Sequence, residues 1–309
     1  MNRRNFVAGL AGATLATTFT SFAATPPQVA ITIDDPHTGE TPRMSAEERN
    51  RAILDALGKN SNLKAALFVC GKRVDDEPGH RLLAEWNGAG HIIANHSYSH
   101  PYFHSKRISV EEFIEDIRRG EAVIKDLSRF RRLFRFPFLK EGDTVEKRDR
   151  LRAHLRERGY RNGHVTIDAS DWYVDDRLRE RLKKDPSADA APYRDFYLRH
   201  IWDRATFYNG LVQKVSGYGV KHTLLVHHNL LNAMFLGDLI GMFKSRGWKL
   251  IDAENAFQDK LFSRQPSILP AGESLVWALA KQTGKLDRLL RYPGEDSKYE
   301  KAEMDRLGL

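Results

Sequence analysis

Between residues 29 and 252 the chain alternates two hydrophobic patterns. Short compact apolar runs, many of them β-branched, predict strands over 29–33, 65–70, 91–95, 133–138, 160–167, 222–227 and 248–252. Between them, apolar residues recur every three or four positions, which predicts helices with one buried face. Ser45-Ala46-Glu47-Glu48 reads as a capping box ahead of Ile53, Leu54 and Leu57, with Gly58 near the end. Ser109-Val110-Glu111-Glu112 is a second one, opening a long helix whose buried face is Val110, Phe113, Ile114, Ile117, Ile124 and Leu127. Further helices are expected over 81–88, 145–158 and 232–246.

Strands that alternate with helices argue an α/β fold of parallel units, and seven or so of them favour barrel-like closure over an open sheet. Ligands then sit at the carboxyl ends of the strands. Residues 173–221 form a basic insertion containing Tyr193, Phe196, Tyr197, Trp202, Phe207 and Tyr208. It is expected to be a helical excursion packed on the barrel, the alternative being a substrate-binding lip. Residues 257–309 read as a helical tail after a domain covering 24–256.

The 309 residues are 41% hydrophobic and 29% charged, enough for one large globular core. Ahead of the first strand, Arg3-Arg4 precedes a small-residue apolar run that ends at Ser21-Phe22-Ala23. This predicts a signal peptide over 1–23, and the Arg3-Arg4-x-Phe6 order resembles a twin-arginine signal, which exports folded proteins. The expected location is periplasmic or extracellular, with no membrane span once the signal is removed. An uncleaved anchor is the competing reading, and the Ala/Thr/Gly content suits it poorly. The single cysteine, Cys70, excludes an intramolecular disulfide. The formal charge of +8 falls to +6 without Arg3 and Arg4, which suits an anionic surface or polymer. The charge is scattered, and no nucleic-acid module is present.

Candidate chemistry gathers at the predicted strand ends. Asp34 and Asp35 are adjacent at such an end and can point apart, so one carboxylate can take a metal while the other faces substrate. The plain alternative is a solvated Asp-Pro turn. His96 and His100 would share a face of one helical turn. With a carboxylate they make a three-ligand site that leaves a position for water. Ser97 stands where a helical zinc protease needs Glu, so that reading fails; a non-haem iron site stays open. Arg135 brings a cation to a strand end, where it can orient a carboxylate. Asp171 beside Trp172 suits a half-dry pocket, and His227 ends a buried run where it can exchange protons. The alternatives are a surface arginine, a helix-capping aspartate and a core histidine.

Taken in order, Thr32-Ile33-Asp34-Asp35, His96-Ser97-Tyr98-Ser99-His100, Arg135-Phe136-Pro137-Phe138, Asp168-Ala169-Ser170-Asp171-Trp172 and Leu225-Val226-His227 resemble the five motifs of the polysaccharide deacetylases. That group is also called the NodB-homology family or carbohydrate esterase family 4. The resemblance spans roughly 28–255 and implies a distorted (β/α)7 barrel with a divalent metal, usually zinc. It implies Asp34 as general base, held by Arg135, and Asp35, His96 and His100 as metal ligands. The backbone N–H of Phe138 would bind the oxyanion. Asp171 would pair with His227 as general acid, and Trp172 and Leu225 would line the acetyl pocket. The implied reaction removes N-acetyl groups from an acetylated amino-sugar polymer. An O-acetyl esterase and an inactive carbohydrate-binding module on the same barrel are the alternatives. Three positions depart from the commoner pattern: Ile33 for Phe, Phe138 for Tyr, and His228-Asn229 where an Asp often follows the acid.

Overall fold

The computed structural model describes residues 25–60, 62–292 and 297–309; the signal segment expected over 1–23 lies outside them. In chain order the strands are β1 (Gln28–Asp34), β2 (Ala66–Val69), β3 (Ile92–Asn95), β4 (Phe130–Phe134), β5 (Lys140–Gly142), β6 (Arg161–Asn162), β7 (Lys221–His227), β8 (Lys249–Leu250) and β9 (Ala271–Gly272). The helices are α1 (Ala46–Lys59), α2 (Glu77–Gly88), α3 (Val110–Ile124), α4 (Val145–Glu157), α5 (Asp171–Lys184), α6 (Ala191–Ser216), α7 (Leu230–Ser245), α8 (Ala253–Ala256), α9 (Leu275–Gln282) and α10 (Lys298–Leu307).

β1 is the axis of the sheet. One edge pairs along its whole length with β7, from Gln28↔Lys221 to Asp34↔His227. The other edge is shared, with β8 beside Gln28 and Val29 and β2 beside Thr32 to Asp34. β3, β4 and β6 continue outward in parallel. The segment after β6 then crosses to the far edge of β7, where Ile167 bridges Leu224. The N–H groups of Thr166 and Ile167 both donate to the Thr223 carbonyl, at 3.2 and 3.0 Å. One stretch of chain thus joins β4 to β7 and closes a distorted (β/α)7 barrel, as expected.

Both capping boxes form: the Ser45 and Ser109 side chains accept from the amides of Glu48 and Glu112, whose carboxylates reach back. Other boundaries differ from expectation. The strand expected over 133–138 ends at Phe134, because Phe138 and Leu139 take left-handed φ values of 54° and 55°. The strand expected over 160–167 has only two regular residues, since Gly163 lies against the Phe68 ring. A Cβ there would come within 2.4 Å of it. The helix expected from residue 232 starts at Leu230, because the Asn229 side chain caps it by accepting from Asn232 N–H at 2.9 Å. The tail is not wholly helical, for β9 pairs antiparallel with β5.

The insertion is helical, as α5 and α6. Val174, Leu178, Tyr197, Ile201 and Tyr208 are fully buried in the same core as β1, β2 and β7. No helix among the described residues is long and apolar enough to cross a membrane.

Candidate active site

Asp34, Asp35, His96, His100, Phe138, Trp172 and His227 line one cavity of about 480 Å³ at the carboxyl ends of the strands. Local backbone geometry puts them there. Asp35, Ser97, His100, Phe138 and Leu139 all have positive φ, five of the nine such non-glycine residues described. This conformation costs a non-glycine residue about 1–2 kcal/mol and persists only where surrounding contacts enforce it.

The histidine loop shows the enforcement. His96 and His100 do not lie on a helical turn, contrary to expectation, for Ser97 and His100 have φ of 69° and 59°. Asp116 on α3 accepts from Tyr98 N–H (2.9 Å), Ser99 N–H (3.0 Å) and the Ser99 hydroxyl (2.7 Å). Asn95 Oδ1 accepts from Ser97 N–H at 2.8 Å. α3 comes this close because residue 120 is glycine: a Cβ there would lie 2.7 Å from the Ser97 carbonyl carbon and oxygen.

The loop folds His100 back over His96, ring centroids 4.9 Å apart. One ligand atom each from Asp35, His96 and His100 falls within 4.8 Å of the others. His96 Nδ1 is held by the Arg135 carbonyl at 2.8 Å, so Nε2 is the nitrogen turned to the cluster. Burial lowers the pKa of both histidines and keeps them neutral. Burial pulls the Asp35 carboxyl up, but His100, His96 and Arg73 together hold it below its usual value. Its Oδ1 is buried and meets no hydrogen-bond donor among the described residues. One anionic oxygen and two neutral imidazoles fit a divalent ion such as zinc. His104 lies apart, its ring bound to the Ala271 carbonyl at 2.8 Å.

Asp34 faces the same cavity from the next position. Arg135 Nη1 donates to its Oδ1 at 2.5 Å and to Thr32 Oγ1 at 3.0 Å, while Nε donates to the Gly163 carbonyl at 2.8 Å. Burial nevertheless outweighs the guanidinium and pushes Asp34 up to about 6. A carboxylate of that basicity suits proton abstraction near neutral pH.

His227 is the register partner of Asp34 across the β1–β7 junction. Its Nδ1 lies 2.8 Å from Asp171 Oδ1. Asp171 Oδ2 accepts from His227 N–H (2.9 Å), Asn229 Nδ2 (3.0 Å) and Asn232 Nδ2 (2.8 Å). Asn229 therefore supports the acid pair where the commoner pattern has Asp. The Phe138 ring packs edge-on to His100 at 4.5 Å. Leu139 N–H is taken by the Phe136 carbonyl at 2.9 Å, whereas no acceptor among the described residues takes that of Phe138. Leu225 is not among the cavity-lining residues; it packs beneath, with Leu139 and Val165.

Beside Trp172 the cavity has a further wall that the motifs did not single out. Asp175, Asp176 and Arg179 line it from α5, joined by Arg73 after β2 and by His37 and His228. Positions 172, 175, 176 and 179 follow helical periodicity, so a polar stripe beginning at Trp172 was the available signal.

The strand ends of the parallel barrel thus gather a carboxylate–histidine cluster that could hold a metal ion, a buried carboxylate and an acid–histidine pair. A family model described as polysaccharide deacetylase matches residues 23–162, from β1 through β6. That match covers 140 of the 309 residues, and over it the chain is similar to polysaccharide deacetylases. It is 28% identical over 147 residues to a peptidoglycan-N-acetylglucosamine deacetylase of Bacillus cereus, an alignment covering 47% of this chain and 46% of that protein. The chain thus spans about half the length of that relative. Among solved structures, a carbohydrate esterase family 4 pseudoenzyme from Bacillus anthracis is similar with a TM-score of 0.51 and 18% identity, covering 75% of this chain and 66% of that one. A mutant of such a pseudoenzyme with restored activity also scores 0.51, at 19% identity, covering 75% and 68%.

Proposed function

We propose that the protein is a metal-dependent hydrolase that removes N-acetyl groups from amino-sugar units of a glycan polymer. The carrying observation is the placement of Asp34 and His227 as register partners on adjoining strands beside the Asp35–His96–His100 cluster. A divalent ion held by Asp35, His96 and His100 would supply Lewis acidity for the acetyl carbonyl and for the attacking water. Asp34 takes the proton of that water, with Arg135 fixing its orientation. The Phe138 N–H donates to the developing oxyanion, a contribution of roughly 3 kcal/mol for one good donor. Asp171 steadies the His227 imidazolium through Nδ1, which assigns proton delivery to Nε2. That proton goes to the amine nitrogen, otherwise too basic to leave. Trp172 and Phe138 flank the acetyl group. The products are acetate and a free amino sugar.

The curated relative is a peptidoglycan-N-acetylglucosamine deacetylase, which makes a bacterial wall glycan the leading substrate class. Such a polymer lies outside the cytoplasm, in keeping with the export signal read at residues 1–23. The pseudoenzyme among the structural neighbours keeps the inactive reading in play, since a shared barrel does not secure catalysis. An intact base, acid and ligand set supports the enzyme, because a binder has no use for them together.

The deciding experiment measures acetate release from N-acetylglucosamine oligomers, peptidoglycan and O-acetylated glycans, with zinc and with chelator. Zinc-dependent acetate from an N-acetylated glycan is expected. Glycan binding without acetate release in zinc-loaded protein would establish the inactive module, and release from O-acetyl substrates alone would establish the esterase.

A further inference from the structure

α10 lies some seventy residues beyond β7, yet buried polar contacts connect it to the acid pair. Its Glu300 and Met304 are 2% and 0% exposed. Glu300 Oε1 accepts from Arg204 Nη2 at 2.6 Å and lies 3.4 Å from His200 Nδ1. On the other side of that ring, His200 Nε2 accepts the Ser170 N–H at 3.2 Å. That bond assigns the tautomer: Nδ1 carries the proton and faces Glu300, and burial keeps the ring neutral by lowering its pKa to about 3. Ser170 is the residue before α5, and α5 opens with Asp171, whose carboxylate holds His227.

α10 grips α5 a second time. Arg177 Nη1 donates to Asp305 Oδ1 at 2.6 Å, and Arg177 Nη2 donates to the Leu309 carbonyl. Arg177 Nη1 also lies 3.2 Å from the hydroxyl of Tyr173, next to Trp172. The first turn of α5 has no side-chain cap of its own. Its entry is held by His200 and, through His200, by Glu300, which Arg204 fixes in turn.

We propose that α10 is a positioning element for proton delivery: Glu300 and His200 hold the first turn of α5, and so set where Asp171 places His227. Glu300 and His200 are positioning residues; neither lines the cavity. The consequence for turnover rests on the deacetylase reading, whereas the grip on α5 does not.

The test compares Glu300→Ala, Glu300→Gln and His200→Phe with Glu303→Ala, a change on the same helix that removes the solvent-exposed pair of Glu303 with Arg199 of α6. His200→Phe leaves the Arg204–Glu300 pair in place, so it serves if Glu300→Ala does not fold. Zinc-loaded protein is assayed for acetate release from an N-acetylglucosamine oligomer and for hydrolysis of 4-nitrophenyl acetate, whose leaving group needs no proton. Glu300→Ala and His200→Phe are expected to lower kcat on the amide by roughly 10- to 100-fold with KM little changed. Ester hydrolysis should stay within about threefold, with Glu300→Gln and Glu303→Ala near wild type. Hydrogen exchange of the 171–174 amides should quicken in the same two variants only. Equal losses on amide and ester, or unchanged exchange, would overturn the proposal. Should the wild type release no acetate from any N-acetyl glycan, the deacetylase reading falls, and the exchange data alone decide the grip of α10 on α5.

Discussion

At the scale of single residues, two adjacent aspartates face one cavity under opposite influences. Asp34 is buried against a single guanidinium and is pushed up to about 6; Asp35 sits among His100, His96 and Arg73 and is held down. Substitutions should therefore separate catalysis from metal binding. Asp34→Asn is expected to retain stoichiometric zinc and lose about 10²- to 10⁴-fold in turnover. His100→Ala should lose both, read by metal analysis after gel filtration alongside acetate release. Tight zinc in His100→Ala would remove His100 from the ligand set.

At the scale of elements, the histidine loop depends on how closely α3 approaches it. Gly120→Ala puts a methyl group 2.7 Å from the Ser97 backbone, so the loop must shift. Zinc affinity is expected to fall about 10- to 100-fold, as when outer-shell support of a metal site is lost, while α3 itself gains helix propensity. Isothermal titration with zinc checks this, and wild-type affinity would show that the loop tolerates the methyl group.

The same loop marks how far the sequence could be read. The capping boxes at Ser45 and Ser109 were legible because their hydrogen bonds close within four residues. The pairing of His96 with His100 was also legible, but their helical turn was not. Asp116 imposes the positive φ values from another element, and nothing at positions 96–100 encodes that contact. Strand alternation gave the barrel, yet the β5–β9 pairing joins residues about 130 positions apart and left no periodic trace. On α5 only Trp172 was named for the pocket, and Asp175, Asp176 and Arg179 fell within the lip kept as an alternative for 173–221, because a polar stripe on a helix ordinarily faces water.

For the molecule as a whole, stability carries a cost of housing ionisable groups near the site. Asp175 is 3% exposed, and burial pushes it up to about 7, against the pull of the Leu231 N–H and Arg179. Its ordinary value is 3.8, so between about pH 4 and pH 7 the folded state binds more protons than the unfolded one. Stability from this group therefore falls as pH rises through that window and stays low above it. Asp175→Asn keeps an acceptor for Leu231 N–H and removes the ionisation. It should be more stable than wild type by about 1–3 kcal/mol at pH 8, with little difference at pH 4. Urea unfolding at both pH values measures this; equal stability at pH 8 would place the charged form of Asp175 at no cost.

The joining of β1 to β7 also bears on how the protein is made. Thr32 Oγ1 donates to the Leu224 carbonyl across 192 positions of sequence. Asp34, Asp35, His96, His100 and Arg135 all leave the ribosome before the strand that carries His227. Contacts of such long separation form late and slowly, and an unclosed barrel exposes strand edges while it waits. The first strand cannot gain its full partner until the chain has been made past residue 227, so closure is a late event of synthesis rather than an early one. If the Arg3-Arg4 order expected to be an export signal does act as one, a route that carries finished, folded proteins would let that closure happen where the chain is made.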